Sequence, residues 1–291
     1  MGEIVGAGLI SHSPTIMLNQ VARHELNDGK EISLVPGLAR LRNEVLSRLE
    51  ADTIVIIDSH WFTTVEHVLS AHARRHGRMT SSELPRGMAG IPYDYPGDPE
   101  LAFLAAALGQ ELGTPTHASD DDHLPVYYAT INLVHYLRSN EQILSVSVVQ
   151  TGESDDFLTM GEAIAEAVGR LDRRVVVLAS GGMSHTFWPL KQIAKHEASD
   201  PVHIFTPEAR QADELRLEWM KAGDHRRLVE SMADYLEHSP EGNFGHFLMM
   251  LGSIGGADCV ARGELFSDYE NATGTGQVHV WFDRPSGGWT E

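Results

Sequence analysis

The chain has 291 residues, of which 42% are hydrophobic and 22% charged: enough apolar material for a sizeable core, and too ordinary a charge content for wholesale disorder. Its 41 acidic side chains against 22 lysines and arginines give a formal charge of −19, a field that repels a phosphate backbone and argues against a nucleic-acid partner. One cysteine, Cys259, excludes an intramolecular disulfide and a thiolate zinc cluster.

The first residues, MGEIVGAGLISHSP, have no basic stretch before a longer apolar run, so no signal peptide is expected. Position 6 is Gly, where a myristoylation signal wants Ser or Thr. No apolar run is long enough to span a membrane, and a cytoplasmic location is expected.

Taken in order, Glu3–Ile10 (EIVGAGLI) reads as a buried strand, and Leu38–Leu49, after Pro36-Gly37, as a helix. Thr53–Asp58 (TIVIID) is a second short Val/Ile-rich strand, of the kind covered on both faces. Arg78–Pro99 holds four prolines and little periodicity, and reads as a long loop or short hairpin. Pro99–Leu112 is Ala/Leu-rich and opens at a proline, a helix signal. Gln142–Val149 (QILSVSVV) is a strand, Met160–Leu171 a helix ending in basic residues, and Arg174–Ala179 (RVVVLA) a third buried strand. Pro207–Leu236 reads as helical. There Glu208, Asp213, Glu214 and Glu218 alternate with Arg210, Arg216 and Lys221, as on a solvated face. Phe247–Ile254 is an apolar helix after a Gly-rich turn. Alternating strands and helices predict an α/β fold, one domain over residues 1–291, with a central, largely parallel sheet flanked by helices.

The chain carries 16 histidines. His72, His76, His225 and His238 stand among charged or turn residues and read as surface histidines. Three others follow strands: His12 in Ile10-Ser11-His12-Ser13-Pro14, His60 in Asp58-Ser59-His60-Trp61, and His185 in Ser180-Gly181-Gly182-Met183-Ser184-His185. Ligands of open α/β sheets bind beyond the carboxyl ends of the strands, and parallel strands bring those ends to one edge. A turn histidine is the plain reading of any one of them; three at equivalent places point to a site. Ser180-Gly181-Gly182 lacks the Lys and spacing of a P-loop, and no G-x-S-x-G elbow makes Ser180 or Ser184 a nucleophile. The glycines are expected to let the backbone turn tightly beside the site. Two imidazoles with one carboxylate on one face is the arrangement of non-haem Fe(II) oxygenases. Glu241, in Ser239-Pro240-Glu241-Gly242-Asn243-Phe244, is a candidate carboxylate, but a helix-start acid would look the same. Pattern alone leaves His185 and Glu241 both open as the third ligand.

Six blocks in order then resemble the class III extradiol ring-cleaving dioxygenases, and within them the 3,4-dihydroxyphenylacetate (homoprotocatechuate) 2,3-dioxygenases. They are SHSP, IVIIDSHWF, SSELPRGMAGIPYDYPGDPELA, VVVLASGGMSHTF, EGNFGHFLMMLGSIG and ATGTGQVHVWF. The resemblance implies that His12, His60 and Glu241 hold Fe(II) and that His185 is the acid–base histidine of the second sphere. Other branches of the class have a second active-site histidine in an Asp-His-Gly context. Here the matching stretch is Val126-Tyr127-Tyr128-Ala129-Thr130, which puts Tyr128 there as a hydrogen-bond donor to substrate or oxygen. The homoprotocatechuate and 2-aminophenol branches similarly carry Tyr. His123, nearby in Asp120-Asp121-Asp122-His123, is read as a loop histidine lining the pocket. The implied reaction is meta cleavage of a catechol-type ring by O2 to a hydroxymuconic semialdehyde. A 2-aminophenol substrate is the alternative, and a metal hydrolase with the same ligands a further one. The resemblance also implies a homo-oligomer, or pairing with a homologous chain. Arg86, Arg74 and Lys195 are conceivable partners for a substrate carboxylate, although an exposed cation is the simpler reading of each.

Overall fold

The computed structural model describes residues 2–290. The chain opens with β1 (Glu3–Ile10), followed by α1 (Gln20–Leu26) and α2 (Leu34–Arg40). The latter runs on through a wider turn at Leu41–Leu46 into α3 (Ser47–Leu49). Strand β2 (Thr53–Thr63), the short β3 (His67–Ser70) and the hairpin β4 (Arg74–Met79) and β5 (Ile91–Pro96) come next. Then follow α4 (Pro99–Glu111), β6 (Thr116–Ser119), α5 (Tyr128–Leu137), β7 (Gln142–Val149), α6 (Ser154–Arg170) and β8 (Arg174–Ser180). The rest comprises α7 (Pro207–Ala222), α8 (His225–Glu230), α9 (Met232–Leu236), α10 (Gly245–Ser253), β9 (Gly263–Leu265), the hairpin β10 (Glu270–Ala272) and β11 (Thr275–Gln277), and β12 (His279–Asp283).

Eight strands form one sheet in the order β6-β3-β7-β2-β8-β1-β12-β9. Its centre, β7-β2-β8-β1, is all parallel, while β3 on one side and β12 on the other meet it antiparallel. The expected α/β architecture with a largely parallel central sheet is what the chain adopts. Strand pleating sends alternate residues to opposite faces. Val55 and Ile57 pack with Met160, Ile164 and Phe247 from α6 and α10. Ile54 and Ile56 pack with Leu38 and Ile131 from α2 and α5 on the other face. Both faces are therefore covered, which is why these strands read as unbroken apolar runs.

Helix ends follow local chemistry. Asp98 caps α4, and Glu153 forms a capping box with Asp156 at the start of α6. The helical stretch expected over Pro207–Leu236 is broken in three. α7 ends at Gly223 in the left-handed region (φ 77°), and the Asp224 side chain then caps α8. Two residues assigned to its solvated face, Asp213 and Arg216, are buried. Of the histidines read as surface, His72 and His225 are buried too, because each finds a backbone carbonyl: Asp121 O at 2.8 Å and Ala261 O at 2.8 Å. Among the described residues no helix is long and apolar enough to cross a membrane.

Two features of this frame are testable. Gly161 of α6 lies against α10, where an added Cβ would stand 2.2 Å from Met249 O and 2.7 Å from Ser253 N. Gly161→Ala should therefore prise apart the helix that follows Glu241 and lower stability by roughly 1–3 kcal/mol, read by denaturant or thermal unfolding. His67, the first residue of β3, is buried with Nδ1 3.3 Å from Ser147 O, and burial lowers its pKa to about 4 despite that contact. Between pH 6.5 and 4 the unfolded chain takes up a proton that the folded chain refuses, so this group's contribution is present above 6.5 and is lost on acidification. The stability lost from pH 7 to pH 5 should be smaller in His67→Gln than in the parent chain, by roughly 2 kcal/mol.

Candidate active site

Strands β2, β8 and β1 are neighbours, and Ser180 is the register partner of both Ile10 and Asp58. Three carboxyl ends are therefore level, and His12 and His60 each lie two residues beyond. The second strand continues past its expected end at Asp58 to Thr63, with a register shift against β7 between Asp58 and Phe62. His60 sits in that bulge. The buried Asp58 carboxylate holds the bulge open: Oδ1 accepts from His60 N at 3.0 Å and Trp61 N at 2.9 Å. Its Oδ2 accepts from Thr130 N at 2.9 Å and Thr130 Oγ1 at 2.6 Å. Thr130 lies in the first turn of α5, which begins at Tyr128, so one carboxylate also satisfies that helix start. The Tyr128 ring consequently lies 4.2 Å from the His60 ring and 5.4 Å from the His12 ring, centroid to centroid.

His12 is fixed twice. Asn132 Nδ2 donates to its carbonyl at 2.8 Å, and its ring Nδ1 stands 3.1 Å from Ser180 Oγ. The Ser180 hydroxyl donates to Ala129 O at 3.0 Å and so accepts from Nδ1–H, which leaves His12 Nε2 with a free lone pair. Burial, the largest influence, lowers the His12 pKa to about 4, so its imidazole is neutral. Nε2 lies 3.4 Å from Glu241 Oε1.

Glu241 enters from the other side of the sheet edge. Its N–H donates to Met183 O at 2.9 Å; Ser59 Oγ approaches Oε1 at 2.5 Å, and Gly182 N donates to Oε2 at 2.5 Å. Burial opposes ionisation of this carboxyl. The imidazoles of His185, His12 and His246, and the Ser59 hydroxyl, outweigh it and hold Glu241 well below the usual carboxylate range. The turn after it is strained, with Gly242, Asn243 and Phe244 all left-handed at φ 55°, 55° and 59°.

His185 Nδ1 faces Glu241 Oε2 at 3.5 Å and has no hydrogen-bond partner. Its N–H donates to Ser239 O at 3.0 Å, tying its loop to the Glu241 loop. The preceding Ser184 is clamped by the buried Asp213, which accepts from Ser184 N at 3.1 Å, Ser184 Oγ at 2.6 Å, Tyr235 Oη at 2.7 Å and Tyr269 Oη at 2.6 Å. Those donors are why a carboxylate expected on a solvated face is inside. The glycines serve closeness rather than an unusual turn. A Cβ on Gly181 would lie 2.5 Å from His246 Nε2, and one on Gly182 would lie 2.6 Å from Gln277 Nε2.

The structure adds a residue that sequence reasoning passed over. Glu83, in the segment between β4 and β5, places Oε2 2.9 Å from His60 Nε2 and 3.3 Å from Tyr128 Oη. Burial works against a charged His60, but the Glu83 hydrogen bond and charge, with Asp58 and Glu241, raise its pKa. Its only prior signal was its place in the SSELPRGMAG block. Among the described residues no three His, Cys, Asp or Glu side chains are drawn tightly enough together to enclose an ion. His12 and Glu241 are within reach of each other, and His60 is turned onto Glu83. A groove of about 590 Å³ leads outward, lined by Pro14, Leu18, Glu83, Arg86 and Met88 among others. Arg86 thus lines the groove, which meets the site at Glu83. Arg74 is instead paired with Asp94 at the β4–β5 hairpin, and His123 and Lys195 are exposed and touch none of these side chains.

Residues 6–283 match the family described as the catalytic LigB subunit of aromatic ring-opening dioxygenase. The chain is 28% identical over 263 residues to 3,4-dihydroxyphenylacetate 2,3-dioxygenase of Escherichia coli, covering 88% of this chain and 91% of that one. It is 23% identical over 250 residues to the 2-aminophenol 1,6-dioxygenase beta subunit of a Pseudomonas species, covering 82% and 81%. An uncharacterized Escherichia coli K12 protein, JW3007, has the same fold, with a TM-score of 0.62 at 16% identity over 95% of this chain and 99% of its own. The chain belongs to the LigB family of aromatic ring-opening dioxygenases.

Proposed function

We propose that the chain, acting as one catalytic domain, uses Fe(II) held by His12, His60 and Glu241 to cleave a catechol-type ring with O2 beside its diol, giving a hydroxymuconic semialdehyde. The observation that carries this reading is the meeting of His12, His60, Glu241 and His185 at one sheet edge, in a chain of this family. The donor chemistry fits a divalent metal. His12 presents an unprotonated Nε2, Glu241 is ionised, and His185 Nδ1 is a buried nitrogen without a partner. His60 offers its Nε2 once Glu83 gives way. When bound, such an ion lowers the hydroxyl pKa of a coordinated ring and supplies the redox chemistry that zinc lacks.

The chain's own residues supply the rest. His185, held by its backbone to Ser239 and through Ser184 to Asp213, stands at the edge of the site, where its partly exposed imidazole can take a proton from a ring hydroxyl and return it later. Burial, then the nearby charges of Glu83, Glu241 and Asp58, raise the pKa of Tyr128, so it acts as a neutral phenol and not as a base. The apolar walls of Leu18, Leu84 and Met88 suit a ring and its substituent, with Arg86 at the groove for an anionic one. 3,4-Dihydroxyphenylacetate is the first substrate to test. The likeness to a 2-aminophenol dioxygenase beta subunit supports 2-aminophenol as the second, and a homologous partner chain as one assembly to test beside a homo-oligomer. A cytoplasmic location accords with this chemistry.

Protein loaded anaerobically with Fe(II) should consume O2 and form a yellow product with 3,4-dihydroxyphenylacetate, protocatechuate, catechol or 2-aminophenol. Bound iron with no O2 uptake on any of them refutes the reading. Glu241→Ala should lose the metal, measured by elemental analysis; tight iron and full rate in that variant would disprove the ligand set. His185→Phe should keep its metal and lose about 10²–10⁴-fold in turnover.

A further inference from the structure

Away from the strand ends, the segment between β8 and α7 carries another pair of imidazoles. His196 Nδ1 stands 3.2 Å from His203 Nδ1, with the ring planes 74° apart. One indole fixes both residues: the Trp188 ring stacks on His196 at 3.7 Å and 7°, and its Nε1 donates to His203 O at 2.7 Å. Asn271 Nδ2 donates to His196 O at 2.8 Å, and His203 N donates to Asp200 O at 3.0 Å. The segment is seated on the β10–β11 turn at both ends, Trp188 N donating to Thr273 O at 3.1 Å and Phe205 N to Gly274 O at 2.9 Å. The two imidazoles are therefore held facing each other by their surroundings, and both are half-buried rather than sealed from solvent.

Two neutral imidazoles at this spacing share one hydrogen: one Nδ1–H donates and the other Nδ1 accepts. A divalent cation can take the place of that hydrogen. Neither Nε2 is hydrogen-bonded to another described residue, so the donor ring can carry its hydrogen there and turn a lone pair on Nδ1 toward its partner. The distance suits the exchange. With metal–nitrogen bonds of about 2.0–2.1 Å, two nitrogens on a tetrahedral ion stand roughly 3.3–3.4 Å apart, and two neighbours on an octahedral ion about 2.9 Å. The observed 3.2 Å lies between them. Burial, then the neighbouring His203 and Lys195, lower the His196 pKa and so favour the neutral ring that a metal needs. No third His, Cys, Asp or Glu side chain among the described residues is drawn in, which leaves the other positions to water. The acidic chain, at −19, concentrates cations at its surface.

We propose that His196 and His203 form a second metal site, taking an imidazole-preferring divalent cation of the Zn(II) or Ni(II) class through both Nδ1 atoms. The site is independent of the ring-cleavage reading. A cation held there closes the loop between the two histidines. Glu197, inside that loop, lines the groove, so the bound ion stiffens a stretch of groove wall.

The test uses the full chain equilibrated by dialysis against one fixed concentration of Ni(II), with metal per chain measured by elemental analysis. The parent is compared with His196→Gln, His203→Gln and His76→Gln, the last an exposed histidine of β4 outside the pair. Each pair variant should hold one Ni(II) fewer than the parent, and His76→Gln the same number. Whatever the strand-end residues bind is common to all four chains, so the difference reports the pair alone. Tryptophan fluorescence gives a second readout, because paramagnetic Ni(II) on His196 quenches the indole stacked against it. Even an outer-shell partner is worth about 10–100-fold in metal affinity, so in both pair variants this quenching should need at least about tenfold more Ni(II). Equal metal content in the parent and the pair variants, the same loss in His76→Gln, or quenching unchanged in both pair variants overturns the proposal and leaves the contact a plain imidazole–imidazole hydrogen bond.

Discussion

A carboxylate buried without a cation must be met by hydrogen-bond donors, and at Asp58 that requirement organises one half of the site. Four donors from two segments converge on it: His60 and Trp61 from the strand bulge, and Thr130 twice from the helix start. Burial pushes its pKa up, and these hydrogen bonds pull against that. The arrangement is all or nothing, since losing one segment leaves the other facing an unsatisfied buried group. His60 and Tyr128 are thereby set against each other before any ligand arrives. Asp213 solves the same problem for the other half. Its four contacts bind the His185 loop to α7, to the segment before Glu241 and to β10–β11.

The site is consequently stiff behind and open in front. His12, Glu241 and the backbone of His185 are held by buried partners, several of them main-chain groups that no side-chain rotation can remove. Toward solvent the boundary is the segment between β4 and β5, which reaches the body through Met88 at Asn132 and through Glu83 at His60 and Tyr128, and it lines the groove. Preorganised groups on strand ends beneath a rim built from a loop is a division suited to a site that must keep its geometry while its entrance varies.

Much of this was legible in the sequence, for a definite reason. The buried parallel strands announce themselves by short Val/Ile-rich runs, and the rule that ligands gather beyond their carboxyl ends brings His12, His60 and His185 together. Glu241 was not distinguishable by pattern, because a carboxylate before a helix has a common structural use. Glu83 was hidden in a stretch without periodicity. Asp213 and Arg216 were misread because alternating charges on a helix normally face water. The donors that draw Asp213 inside, Ser184, Tyr235 and Tyr269, come from three separate parts of the chain, and no local pattern reveals them. His72 and His225 were misplaced for the same reason, since their partners are distant backbone carbonyls.

The level alignment of Ile10, Ser180 and Asp58 makes the sheet a ruler. Adjacent strands stand about 4.8 Å apart, so β1 and β2, on either side of β8, are separated by roughly 9.6 Å. The imidazoles that follow them must lean inward across β8 to bring their centroids to 6.0 Å, and they can do so only because the middle strand ends in a serine and two glycines. The span of the site is thus a multiple of the backbone hydrogen-bond repeat, a length that side-chain substitution in the surrounding helices does not alter. Loops and groove walls are free to change what enters, while the gauge on which the histidines are mounted stays constant.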